Sequence, residues 1–238
     1  MTPIDPERTV AELVIERPGR VRVFEQLHID FCCGGQRSLA SACAERGLDP
    51  ATVATMLAAT EAASGGAAGG AEADWAEASL AALSEHIVGR HHAYLREELP
   101  RLGALVAKVA RVHGDRHPAL HETQDLFEAV ATELLSHLAA EEETVFPACK
   151  QVETTGETGL ANFEGVVAAM ERDHLVTGAA LERIRLLNDD FTPPPDACNS
   201  YRAMLAGLDE LEHDVHRHIH KENNILFPRS LRLESSLD

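Results

Sequence analysis

The feature that most constrains this sequence is a five-residue unit that occurs twice, as His137-Leu138-Ala139-Ala140-Glu141 and as His218-Ile219-His220-Lys221-Glu222. On a helix, residues four apart share one face, so each unit offers a ring nitrogen and a carboxylate to the same point. Both units are written into apolar repeats. Val130, Leu134, His137, Glu141 and Val145 are spaced 4, 3, 4, 4, and Leu208, Leu211, Val215, His218, Glu222 and Ile225 are spaced 3, 4, 3, 4, 3. That is the seam of a bundle helix with polar residues at core positions. A buried carboxylate without a partner is costly, and a metal ion would supply the partner.

Two further seams run in the same phase. Val88, His92, Leu95, Leu99, Leu102, Val106 and Val109 select His92 for the core and leave His91 off it, with Pro100 expected to bend the helix. Phe163, Val167, Met170, His174, Thr177, Leu181 and Ile184 do the same for His174. The pattern predicts four long helices, about Leu80 to His113, Pro118 to Cys149, a third around His174, and a fourth that Pro228 ends. In an up-down bundle, His92 and His174 lie about 12 and 14 residues into their helices, while Glu141 and Glu222 lie about 8 and 6 from the ends of theirs. The six side chains therefore fall in one layer. His113 keeps the phase but lies about 30 Å from His92 at helical rise, too far to share an ion.

Six N/O donors with two carboxylates suit a pair of irons, the carboxylates bridging and two histidines terminal on each; zinc needs four ligands in all. Glu171-x-x-His174 and Glu210-x-x-His213 match a carboxylate-rich alternative in form, but Glu171 and His213 are off the seam. Glu133, one turn before His137, reads either as a base behind that histidine or, by slight preference, as a solvated residue; His216 and His220 read as surface residues, and Cys43, Cys149 and Cys198 as structural.

The first sixty residues read as four short helices. Thr9 caps the first and Pro18-Gly19 stops it; a second carries Val21 to Leu27; the third spans Ser38 to Arg46; Asp49-Pro50 opens the fourth. Between the second and third stands Asp30-Phe31-Cys32-Cys33-Gly34-Gly35, in which the glycines place both thiols on an approachable, flexible loop. Residues 62–73, with four glycines among alanines, read as a flexible linker, giving an N-terminal helical domain over 1–61 and a bundle over 74–238.

Composition narrows the function classes. With 45% hydrophobic and 4% aromatic residues the expected class is all-α. A formal charge of 21 − 39 = −18 argues against nucleic acid and against an anionic membrane surface. Five irregularly spaced cysteines form no disulfide framework, and neither a leader-like N-terminus nor a spanning apolar run is present, so a cytoplasmic protein is expected.

These residues together resemble the iron-sulfur cluster repair di-iron proteins, in which a short domain with an Asp-Phe/Tyr-Cys-Cys-Gly-Gly motif precedes a hemerythrin-like up-down four-helix bundle. The resemblance rests on Asp30 to Gly35, His92, His137-x-x-x-Glu141, His174, His218-x-x-x-Glu222, and the Phe146-Pro147 and Phe227-Pro228 endings, and it covers nearly the whole chain. It implies two non-haem iron ions, oxo- and carboxylate-bridged, on His92, His137, Glu141, His174, His218 and Glu222, with Cys32 and Cys33 as a reactive pair. It also implies repair of clusters damaged by nitric oxide or peroxide, by iron donation, by nitric oxide binding and reduction, or by both. The partners expected are nitric oxide or dioxygen and damaged iron-sulfur proteins, and a homodimer is left open. The competing expectation is a cytoplasmic sensor or sink for nitric oxide or dioxygen without turnover.

Overall fold

The computed structural model describes residues 4–64 and 75–235. Four short helices come first: α1 (Val10–Glu16), α2 (Val21–Gln26), α3 (Leu39–Glu45) and α4 (Pro50–Ser64). The Thr9 hydroxyl accepts from the Glu12 amide while the Glu12 carboxylate accepts from the Thr9 amide, a reciprocal cap that fixes where α1 starts. Ser38 caps α3, Gly47 takes a positive φ of 66° just beyond it, and Asp49 accepts from the Thr52 amide at the start of α4. Val10, Leu13, Phe24, Leu39, Cys43, Val53 and Leu57 close into a small core of their own. The expected linker lies outside the described residues from position 65 onward, and α4 runs to Ser64.

Four long helices follow. Helix α5 joins Leu80–Ile87, a π-helical turn Val88–His92, and Ala93–His113. Helix α6 joins Ala119–Ala140, a π-helical turn Glu141–Val145, and Phe146–Thr155. Helix α7 is Phe163–Leu187. Helix α8 joins Asn199–Lys221, a π-helical turn Glu222–Leu226, and Phe227–Ser235. Each packs against the next, and α8 returns to α5, which closes the bundle. Among the described residues no helix is long and apolar enough to cross a membrane.

The prolines act differently from expectation. Helix α5 continues through Pro100, and its irregular turn falls at Val88–His92 instead. Pro228 does not end α8, and Pro147 stands in the same position in α6. Each proline is the second residue after a π-helical turn, where the wider backbone has already departed from the i−4 bonding that proline interrupts. Gly156, at a φ of 80°, ends α6 instead.

The bundle interior is in two apolar parts. Leu95, Leu102, Phe127, Leu134, Leu181, Leu208 and Val215 belong to the long one, and Leu83, Ile87, Phe146, Cys149, Phe163, Leu226 and Phe227 to the shorter one. The polar layer lies between them.

Candidate metal centre

The structure brings all six expected residues together. His92, Glu141, His218 and Glu222 offer ligand atoms that all lie within 4.8 Å of one another, and so do His137, Glu141, His174 and Glu222. The two groups share both carboxylates. Glu141 turns Oε2 to His92 Nε2 at 3.3 Å and to His218 Nε2 at 4.0 Å, and Oε1 to His137 Nε2 at 3.0 Å and His174 Nε2 at 3.8 Å. Glu222 turns Oε1 to His218 Nε2 at 2.8 Å and Oε2 to His174 Nε2 at 3.3 Å. Each carboxylate thus lends one oxygen to each pair of imidazoles.

Both carboxylates are fully buried, and Glu141 Oε1, Glu141 Oε2 and Glu222 Oε2 complete no hydrogen bond. The facing nitrogens are near but not aligned as donors to them; they converge instead on the space between. Two ring nitrogens also face each other in each group, His92 with His218 at 3.1 Å and His137 with His174 at 2.8 Å, a contact that only one shared proton or a cation can satisfy. Burial works to raise the Glu141 carboxyl, but the rings of His137, His174 and His92 outweigh it and hold it well below the usual range. Glu222 is lowered as well, against burial and the nearby Glu141 charge, by His218 and His174. Ionised carboxylates without complete hydrogen bonding, in a dry layer, are a donor set that fits a pair of cations.

The residue after each shared glutamate fixes a histidine on another helix. Glu142 Oε1 lies 2.7 Å from His92 Nδ1 and also accepts from Arg96 at 2.8 Å. Asn223 Oδ1 lies 2.8 Å from His174 Nδ1. Four residues further on, an aromatic ring lies along the same imidazole: Phe146 on His92 at 5.5 Å and 25°, Phe227 on His174 at 6.3 Å and 3°. The signal for this support was in the sequence, because His137, Glu141, Glu142, Phe146 and Pro147 have the same spacing as His218, Glu222, Asn223, Phe227 and Pro228. The π-helical turns begin at Glu141 and Glu222, and a third ends at His92.

That third turn corrects the expectation for His91. The wider turn carries both His91 and His92 inward, so His91 is only 3% exposed; its Nδ1 faces Asp214 Oδ1 at 3.0 Å and its ring stacks on His218. His216 and His220 were expected at the surface; His220 is buried and His216 half-buried, and the reason is the N-terminal helical module. Phe31 presents its edge to both rings, and the Phe31 carbonyl lies 3.1 Å from His220 Nδ1. Burial pushes both imidazoles down to about 4, so each is neutral at pH 7. Glu133 is exposed, in keeping with a solvated residue.

The module seats its cysteine turn on α7 and α8. One carboxylate, Asp30, accepts from the amides of Cys32, Cys33 and Gly34 at 3.0, 3.0 and 2.8 Å. Asn224, two residues after Glu222, donates to the Cys32 carbonyl at 3.0 Å and accepts from the Gln36 side chain at 3.2 Å. A side chain on Gly35 would meet the Phe31 carbonyl at 2.8 Å and Asn224 Oδ1 at 3.0 Å, so this approach requires glycine. Arg217 forks onto Glu25 with two bonds of 2.8 Å.

The turn is therefore well held rather than flexible, and its two thiols differ. Cys32 is buried against the bundle core, and the Cys33 thiol and then burial push its own thiol well above the ordinary range. Cys33 is half-buried, with Sγ 3.5 Å from the His174 carbonyl oxygen and 3.7 Å from Cys32 Sγ. It opens on a groove of about 320 Å³ between the module and the bundle, with Asp30 and Arg37 on one wall and Leu175, Gly178 and His216 on the other.

Four antiparallel helices around a buried His/Glu layer define a cation-binding helical-bundle protein, here with a cysteine-bearing module seated on it. Comparison with known proteins agrees with that class. Residues 83–230 match the hemerythrin HHE cation-binding domain, and residues 6–61 match a domain of unknown function, DUF542. The chain is 36% identical over 230 residues to the iron-sulfur cluster repair protein YtfE of Musicola paradisiaca, covering 96% of this chain and 98% of that one. It is 36% identical over 225 residues to the protein of the same name in Escherichia coli O157:H7, covering 94% and 97%. It is 35% identical over 228 residues to that of Pectobacterium atrosepticum, covering 96% and 98%. The chain belongs to the hemerythrin-domain family of iron-sulfur cluster repair proteins.

Proposed function

We propose that this chain is a cytoplasmic, non-haem di-iron protein that repairs iron-sulfur clusters damaged by nitrosative or oxidative stress. The observation that carries the reading is the division of the two carboxylates, one oxygen of each to either pair of imidazoles. His92 and His218 with one oxygen of each glutamate make one N2O2 set, and His137 and His174 with the other oxygens make the second. Four donors close a zinc site, whereas iron accepts more ligands and keeps positions open. Iron(II) held there would supply redox-active Lewis acid sites for nitric oxide or dioxygen and an exchangeable ion for a damaged cluster.

The chain's own part is to position and to exclude. Glu142 and Asn223 hold Nδ1 of His92 and His174, which aims Nε2 of each at the shared carboxylates. Phe146 and Phe227, with the apolar residues behind them, keep water from that side of the layer. On the side of the N-terminal module, Cys33 Sγ lies beside the His174 backbone carbonyl and opens on the groove, so the thiol pair would be placed to hold iron on its way to a damaged protein. Iron binding would displace the thiol protons, of which the one on Cys32 is otherwise retained by the Cys33 thiol and by burial. The domain division at 1–61, 62–73 and 74–238 belongs to the same reading.

The test is iron content with an ultraviolet-visible spectrum on the wild type and on His137→Ala. Two irons per chain with near-ultraviolet charge-transfer bands, both lost in the variant, are expected; zinc, or no metal at all, overturns the proposal. The cysteine relay is separable, because Cys32→Ser/Cys33→Ser should keep its iron and lose repair. Nitrous oxide accumulating from reduced protein and excess nitric oxide distinguishes turnover from a sensor or sink.

A further inference from the structure

Two of the four imidazoles in the layer are held at Nδ1 from another helix, His92 by Glu142 and His174 by Asn223. Nδ1 of His218 is buried and has no hydrogen-bond partner. An imidazole that can turn about its last torsion loses the aim of Nε2, which in His218 lies 2.8 Å from Glu222 Oε1 and 3.1 Å from His92 Nε2. What lies along His218 instead is a second ring. His91, brought inward by the π-helical turn, stacks on it with centroids 5.5 Å apart and planes 4° from parallel.

His91 is itself anchored. Its Nδ1 lies 3.0 Å from Asp214 Oδ1, and because a carboxylate only accepts, this nitrogen carries the proton and donates. Asp214 stands four residues before His218 on the same face of α8, so one helix carries both the ligand and the anchor of the ring beside it. His86 closes the column from outside: its ring meets His91 edge-on at 5.8 Å, and Trp75 stacks on His86 at 4.1 Å. His91 and Asp214 are both buried, with His91 Nε2 and Asp214 Oδ2 left without partners, and neither residue belongs to the two ligand groups of the layer. Two apolar side chains of similar volume would cost less to bury, so packing alone does not account for the pair.

We infer that His91 and Asp214 are positioning residues for His218. Asp214 fixes the His91 ring, and the His91 ring fixes the plane of His218 by stacking, as Glu142 and Asn223 fix His92 and His174 by hydrogen bonds. The inference rests on the reading of the layer as a two-ion site, because His218 belongs to one ligand group, with His92, Glu141 and Glu222, and not to the other. Loosening His218 therefore acts on one ion and spares its neighbour, whereas a general loosening of the bundle acts on both.

The first readout is the metal-free chain, with its histidine ring signals followed by proton–nitrogen correlation NMR. In Asp214→Ala the His218 ring signal should broaden or split, while those of His92 and His174 keep their wild-type positions. Asp214→Asn, whose amide oxygen still accepts from His91, should restore one sharp signal. The second readout is cobalt(II) titration with chelator competition. Asp214→Ala and His91→Ala should weaken one of the two ions by about 10–100-fold and leave the other within about threefold, with Asp214→Asn close to wild type at both. Equal weakening of both ions, an unchanged His218 signal in Asp214→Ala, or no rescue by Asp214→Asn would each overturn the assignment. A wild type that takes up fewer than two ions overturns the two-ion reading instead, and the metal-free spectra then decide alone on His91 and Asp214. Should Asp214→Ala fail to fold, His91→Ala carries both readouts.

Discussion

At the scale of single residues, the six members of the buried His/Glu layer were legible because a polar residue on an apolar seam is conspicuous. Periodicity passes over Glu142 and Asn223, which lie off the seams, and only the repeated spacing of the two His-x-x-x-Glu segments marks them. Glu142→Ala should weaken metal binding by about 10–100-fold in a chelator competition, with Asn223→Ala behaving alike, because each releases the Nδ1 that fixes a ring. Glu212 gives a pH test. Burial pushes its carboxyl up to about 7 from a usual 4.5, against the Arg185 guanidinium that works to lower it. The folded chain then keeps a proton that the unfolded chain releases, so this contribution is full below pH 4.5 and is lost as pH rises to about 7. Glu212→Gln should therefore gain stability relative to wild type as pH rises. The gain should be on the order of 1–3 kcal/mol at pH 8 and near zero at pH 4.5, read by urea unfolding.

At the scale of elements, periodicity gave the four long helices and their inward faces, but it presumed an unbroken 3.6-residue turn. Three π-helical turns break that presumption beside His92, Glu141 and Glu222. This is why His91 turned out to be buried and why Pro147 and Pro228 continue their helices. Inserting one alanine after the exposed Glu143 adds a residue that the five-residue π-helical turn Glu141–Val145 has not absorbed and should rotate everything downstream by about 100°. Val145, Phe146, Cys149 and Val152 would then leave the core. The variant is expected to lose bound metal and to melt well below wild type by calorimetry, whereas an unchanged melting temperature would mean that the extra residue does not set the register.

At the scale of the whole molecule, the cysteine turn is ordered by the bundle as much as by its own module. Asn224 is the link, since it holds the Cys32 carbonyl and the Gln36 amide from a position two residues beyond Glu222. Asn224→Ala removes both bonds from a buried contact, at a cost of about 1–3 kcal/mol. The amides of Cys32, Cys33 and Gly34 should then exchange with deuterium about tenfold faster, while iron content stays at the wild-type value. Unchanged exchange would place the hold on Arg217–Glu25 instead.

The sequence by itself determined four amphipathic seams, the depth at which their polar residues meet, and the capped short helices around the Cys-Cys-Gly-Gly turn. Each of these depends on spacing along one segment, which periodicity and capping chemistry report directly. Only the tertiary structure decided how each glutamate divides its oxygens, which side chains orient the rings from 49 and 50 residues away, and which helix faces a second module covers. His216 and His220 show the reason. A periodic pattern tells which face of a helix meets its own bundle, but burial on the opposite face depends on where Phe31 comes to rest, nearly two hundred residues earlier in the chain.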